Sequence, residues 1–98
     1  MPAREPLSDA AIQDALNDLD GWRHEDDKLK KTFELSNFQA AVSFIVRLSF
    51  HAEELNHHPE IQNVYNTVDI ALTTHDAGNT VTEMDTALAK RIEEFSWI

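Results

Sequence analysis

The sequence predicts an α+β domain in which three helices cover one face of a four-stranded antiparallel sheet, in the order α-β-β-α-β-β-α. Two periodicities carry this prediction. Apolar residues recur at spacings of three and four in three stretches, and alternate with polar ones in the stretches between them. Length adds a third constraint: 98 residues make a single domain, spanning 1–98, that buries roughly 60 to 70% of its unfolded surface.

Taken in order, Ser8 is placed to cap a first helix, with Ile12, Leu16 and Leu19 on one narrow apolar face and Gly21 as the stop. Trp22 to Glu25 then reads as a strand and Asp26-Asp27 as a turn. In the second strand Leu29, Phe33 and Leu35 alternate with Lys30, Thr32 and Glu34, which makes a hairpin with one buried side. Ser36 or Asn37 caps a long second helix, where Phe38, Ala41, Ile45, Leu48, Ala52 and Leu55 form the face turned to the sheet. Val42, Val46 and Phe50 widen that apolar surface, as a broad core stripe or a subunit contact would.

Pro59 disfavours helical geometry at His58, so the second helix ends before it. From Ile61 to Thr74 the chain is strand-like, with a turn near Tyr65 and Asn66, after which Val68, Ile70 and Leu72 alternate with Asp69, Ala71 and Thr73. Gly78 and Asn79 form a loop. Thr82 and Asp85 make a capping-box variant before a last helix with Leu88, Ile92 and Phe95 on one face.

Composition excludes several classes of function. Without cysteine there is no disulfide framework, thiolate metal site or cysteine nucleophile. A formal charge of −10 opposes attraction to nucleic acid or an anionic membrane. No apolar run reaches the roughly 20 residues that span a bilayer, and Met1 to Pro6 lacks a signal peptide's apolar stretch, so a cytoplasmic location is expected. With only Gly21 and Gly78, the chain has no phosphate-cradling loop, and no G-x-S-x-G elbow occurs.

What remains is histidine. His57 and His58 precede Pro59, and His75 closes the strand-like run, so three imidazoles lie near element ends, where sites form. Imidazole exchanges protons near neutral pH. Glu53 stands four residues before His57, a helical spacing at which its carboxylate favours the protonated ring. The carbonyl end of the helix acts in the same direction. His58, before proline, should project differently from His57, and strand alternation places His75 with Asp69, Ala71 and Thr73, away from the core. Three histidines and a glutamate are also good zinc or iron ligands, but the H-E-x-x-H signature is missing and adjacent histidines rarely chelate one ion together. His24 and His51 are read as structural. Taken alone, Tyr65 reads as a strand or turn aromatic and Asp85 as a capping residue.

The segment from Glu53 to Asp85 resembles the pterin-4a-carbinolamine dehydratases. That family's pattern is an acidic residue four before a histidine, then H-H-P, an aromatic six beyond the proline, a histidine ten further on and an aspartate about ten after that. Glu53, His57, His58, Pro59, Tyr65, His75 and Asp85 match each element. Gly21-Trp22, the Leu29 to Phe33 strand and the Phe38 to Ala41 helix start also look like the family's, so the likeness covers nearly the whole chain. Ile61 departs, standing where many members carry tryptophan.

The resemblance implies dehydration of 4a-hydroxytetrahydropterin, a product of aromatic amino-acid hydroxylases, to quinonoid dihydropterin and water, with no metal or redox cofactor. It implies that His57 and His75 act as acid and base, that His58 orients the ligand and that Glu53 sets the charge of His57. The pterin would lie against His57, His58 and Pro59, and against Thr74, His75, Asp76 and Ala77. Unpaired sheet edges lead us to expect a homodimer or homotetramer. The alternative is a binding or regulatory module that stabilises a partner protein's dimer, as some animal relatives do for a transcription factor. A dehydratase-like role in another pterin pathway is a third reading.

Overall fold

The computed structural model describes residues 2–96; Met1, Trp97 and Ile98, which belong to the expected 1–98 domain, lie outside the described residues. The element order is the expected one: α1 (Asp9–Leu16), β1 (Arg23–Glu25), β2 (Lys28–Glu34), α2 (Phe38–Leu55), β3 (Glu60–Val64), β4 (Thr67–Leu72) and α3 (Glu83–Phe95). The strands form one antiparallel sheet in the order β1-β2-β4-β3.

Helix α1 begins where Ser8 Oγ accepts the Ala11 N–H at 3.1 Å. It stops at Leu16, short of Gly21, because the next backbone N–H groups bond three residues back: Asn17 to Asp14, Asp18 to Ala15 and Leu19 to Leu16. This tighter winding still delivers Leu19 to the core. Gly21, at φ +82°, redirects the chain, so β1 starts at Arg23, one residue later than expected. Trp22 instead packs edge-on to Phe33, with its indole N–H donating to Glu93 at 3.0 Å.

Asp26 and Asp27 both take positive φ, as a two-residue hairpin with right-handed strand twist requires. A hydrogen bond from Lys30, with its positive charge, holds the Asp26 carboxyl below the ordinary carboxylate range. Asn37, rather than Ser36, caps α2, its Oδ1 accepting the Ala40 N–H at 2.7 Å.

Alternation decides what the sheet buries. Leu29 and Phe33 on β2, with Val68, Ile70 and Leu72 on β4, turn inward against Ala41, Phe44 and Leu48 of α2 and Met84, Leu88 and Ile92 of α3. Phe38 and Ile45 were expected on this inner stripe. Phe44 occupies it instead, Ile45 is half-buried, and Phe38 joins Val42, Val46 and Phe50 on an exposed ridge at four-residue spacing, with Phe50 71% exposed. The outer face of the sheet is polar, its cations engaged in pairs such as Lys28–Glu60 at 2.8 Å and Lys30–Asp26 at 3.0 Å. Among the described residues, no helix is long and apolar enough to cross a membrane.

Strand β4 ends at Leu72, before the expected run to Thr74 is complete. Thr73 and Thr74 turn away buried, Thr74 bridges back to Thr80, and His75–Ala77 form a single 3-10 turn closed by Gly78 at φ +78°. His75 therefore belongs to the loop that follows the sheet, not to the strand face bearing Asp69 and Ala71.

Removing the buried ring with Phe44→Ala should destabilise the fold by about 3 to 5 kcal/mol through cavity formation. Asn37→Ala should cost about 1 kcal/mol through loss of the cap. Urea unfolding followed by circular dichroism measures both.

Candidate active site

The site starts at the stop of α2. Asn56 adopts the left-handed conformation at φ +50°, its N–H bonds to Glu53 O, and the His57 N–H reaches back to Ala52 O at 2.9 Å. This is a Schellman turn, with asparagine where glycine is commonest. It swings His57 off the helix axis, so the four-residue helical relation to Glu53 no longer holds. The expected Glu53–His57 pair is not formed: Glu53 Oε1 lies 3.4 Å from His58 Nε2, both side chains being well exposed.

His57 turns inward instead, to 6% exposure, with Nε2 2.5 Å from Oδ1 of the fully buried Asp85. Asp85 is the third residue of α3, and its Oδ2 accepts the Thr82 backbone N–H at 2.9 Å, closing the capping box. The same oxygen accepts the Thr74 hydroxyl at 2.8 Å; Thr74 Oγ1 lies 2.7 Å from Thr82 Oγ1, which accepts the Met84 N–H at 3.1 Å. Each hydroxyl has one proton to give, so the directions are determined: Thr82 donates to Thr74, and Thr74 to Asp85. An ionised Asp85 only accepts, so His57 Nε2 carries a proton and Nδ1 is left to exchange one with a ligand.

His75 is set by its loop. Its Nδ1 lies 2.6 Å from Oδ1 of Asn79, itself at positive φ. An amide oxygen can only accept, so Nδ1 holds the proton and Nε2 offers a lone pair.

His57, His58 and His75 line one cleft of about 160 Å³, together with Arg4, Asn56 and Asp76. His58 also faces a second depression of about 200 Å³, walled by Pro59, Ala52 and Ile61. Of the remaining expected site residues, Thr74 is fully buried behind His57, and Ala77 is half-buried in the 3-10 turn. Tyr65 is exposed in the β3–β4 turn, at the far end of β3 from His58. His51 stacks on Phe95 at 4.9 Å, a packing role, and His24 lies half-buried on β1. A larger depression of about 290 Å³ on the outer sheet face lies among paired charges, without the histidines. Among the described residues, no three His, Asp or Glu side chains are grouped to hold a metal ion.

Residues 5–95 match the family model described as pterin 4 alpha carbinolamine dehydratase. The chain belongs to that family. A protein of Opitutus terrae with a provisional pterin-4-alpha-carbinolamine dehydratase name is 51% identical over 94% of this chain and 95% of its own. One of Roseiflexus sp., similarly named, is 44% identical over 90% of this chain and 94% of its own. Among solved structures, a transcriptional coactivator/pterin dehydratase from Brucella melitensis superposes with a TM-score of 0.87 at 36% identity, covering 92% of this chain and 97% of that one.

Sequence reasoning missed two residues of this dehydratase-family site, Asn79 and Arg4. It matched Asp85 to the family pattern but gave it no role beyond the cap, although one carboxylate serves helix and histidine alike. Asn79 was read only as loop, and Arg4 arrives from the other end of the chain, with no local signal. Asp85→Ala should strip the buried Thr82 N–H and Thr74 hydroxyl of their acceptor, costing roughly 1 to 3 kcal/mol for each group left unpaired. It should also release His57 from the Nε2-protonated tautomer, which ¹⁵N NMR of the imidazole reads directly.

Proposed function

We propose that this chain dehydrates a pterin-4a-carbinolamine to quinonoid dihydropterin and water by histidine acid–base catalysis. One observation carries the reading: three imidazoles face a single cleft, one of them fixed by a buried carboxylate and another by an amide. The reaction breaks the C4a–O bond, forms C4a=N5 and removes the N5 proton, so the hydroxyl needs an acid and the ring nitrogen a base. No electrons pass to or from a partner, and the chemistry calls for no redox cofactor.

Protonated His57, held at Nε2 by Asp85, gives its Nδ1 proton to the departing hydroxyl, which leaves as water. His75, proton-bearing at Nδ1 towards Asn79, takes the N5 proton on Nε2. His58 orients the ring from the mouth of the cleft, and Glu53 acts on His58 rather than on His57. The cleft is smaller than the roughly 300 Å³ at which pockets begin to enclose a drug-sized ligand, so the bicyclic ring enters by one edge. The substrate would come from aromatic amino-acid hydroxylases, with the product returned to tetrahydropterin by reduction.

A second reading, a regulatory module that stabilises a partner's dimer, draws support from the Brucella protein, which is called a transcriptional coactivator as well as a pterin dehydratase, and from the exposed α2 ridge. That ridge and the edge strands β1 and β3 also support self-association into a dimer or tetramer. Static light scattering should therefore show at least a dimer, and a monomer at micromolar concentration would contradict self-association.

Stopped-flow dehydration of freshly generated 4a-carbinolamine tests the enzyme reading. His57→Ala and His75→Ala should each slow the reaction by about 10²- to 10⁴-fold. A wild-type rate no faster than buffer rejects the activity.

A further inference from the structure

Arg4 reaches the histidine cleft from a segment that the fold pins on both sides. The Ala3 N–H donates to Glu83 Oε2 at 3.2 Å and the Leu7 N–H to Val81 O at 2.9 Å, so the N-terminal strand of chain is tied to α3 and its approach. Between these anchors the guanidinium crosses to the cleft. Its Nη2 donates to Asn56 O at 3.3 Å, the carbonyl of the turn that aims His57, and its Nη1 makes a long 3.5 Å contact with Asp76 Oδ2.

Two of the five guanidinium N–H groups are engaged there, one of them weakly. The Asp76 side chain is 78% exposed and its carboxylate is mostly open to solvent. Among the described residues, Arg4 is the one cationic side chain other than histidine lining this cleft, in a chain of net charge −10. The long Asp76 contact and the single bond to Asn56 leave the other N–H donors of this guanidinium open to a ligand in the cleft.

We propose that Arg4 and Asp76 act as a pair that reads the pyrimidine edge of the pterin, with Arg4 the residue that selects a 4-oxo ring. This rests on the dehydratase reading above. A pterin presents donor, donor, acceptor along that edge: the 2-amino group, N3–H and the 4-oxo oxygen. A carboxylate accepts from the first two, and a guanidinium beside it donates to the third. The adjacent Asp76–Arg4 couple offers this complement in order, and the ring so held extends towards the three histidines.

The test compares binding of 7,8-dihydropterin and its 2,4-diamino analogue, by fluorescence titration, at a pH where both rings are neutral. The analogue turns a donor towards Arg4 where the pterin turns an acceptor. The wild-type chain should favour the 4-oxo ligand by about 10- to 100-fold, the range of one charged hydrogen bond. Arg4→Ala should lower that preference by weakening 4-oxo binding alone, leaving the part that Asp76 contributes because N3 of the analogue carries no proton to donate, and Arg4→Lys should lower it less. In turnover, Arg4→Ala should raise KM far more than it lowers kcat. If Arg4 merely braced the Asn56 turn, both ligands would weaken together, and a ratio unchanged from wild type overturns the assignment while leaving the activity intact. A wild-type chain that neither binds these rings nor dehydrates carbinolamine overturns both.

Discussion

The Asp85 carboxylate is the point on which helix and site meet. A buried carboxylate is tolerated only when its lone pairs are filled, and here the Thr82 N–H, the Thr74 hydroxyl and His57 fill them. Each donor comes from a different part of the chain: the α3 cap, the end of the β4 segment and the turn after α2. One fully buried anion thus locks three connections into a single geometry, and the orientation of His57 follows from that lock rather than from its own rotamer preference.

The layers around it explain why those connections meet. Strand β4 is central, paired with β2 and β3, and carries the inward Val68, Ile70 and Leu72 beneath α2 and α3. Its end therefore comes out under both helices, which is where Thr74 meets the start of α3. The histidines gather at this corner because the C-terminus of α2, the loop after β4 and the N-terminus of α3 share it. The outer face of the sheet is left to paired charges.

Most of the architecture was legible in the sequence, because periodicity and capping are local. Ser8, Asn37, Thr82 and Asp85 each mark the helix start they were read to mark, and the Asp26-Asp27 and Tyr65-Asn66 turns lie where expected. Phe38 and Ile45 missed the inner stripe of α2 by a shift in phase, and three other failures share a different cause. Helix α1 ending at Leu16, β4 ending at Leu72 and the change of partner at His57 all occur where the chain leaves a regular period, and spacing then carries no information about direction. That Asn56 would turn left-handed was not evident from an asparagine two residues before the H-P step, and with that turn the Glu53 prediction fell. The gathering of His57, His58 and His75 was legible; the partners that hold them were not, since Asp85 and Asn79 had local readings of their own and Arg4 lies 53 residues before His57.

The burial of His57 has a dynamic consequence. Its ring is already immobilised against Asp85, and that of His75 is tethered to Asn79, so both lose little rotational freedom when a ligand arrives, whereas exposed His58 must be ordered from a solvent-mobile state. The entropy of capture then falls on one of the three rings. Motion in the cleft should accordingly be lopsided, with His57 and His75 still and His58 restless.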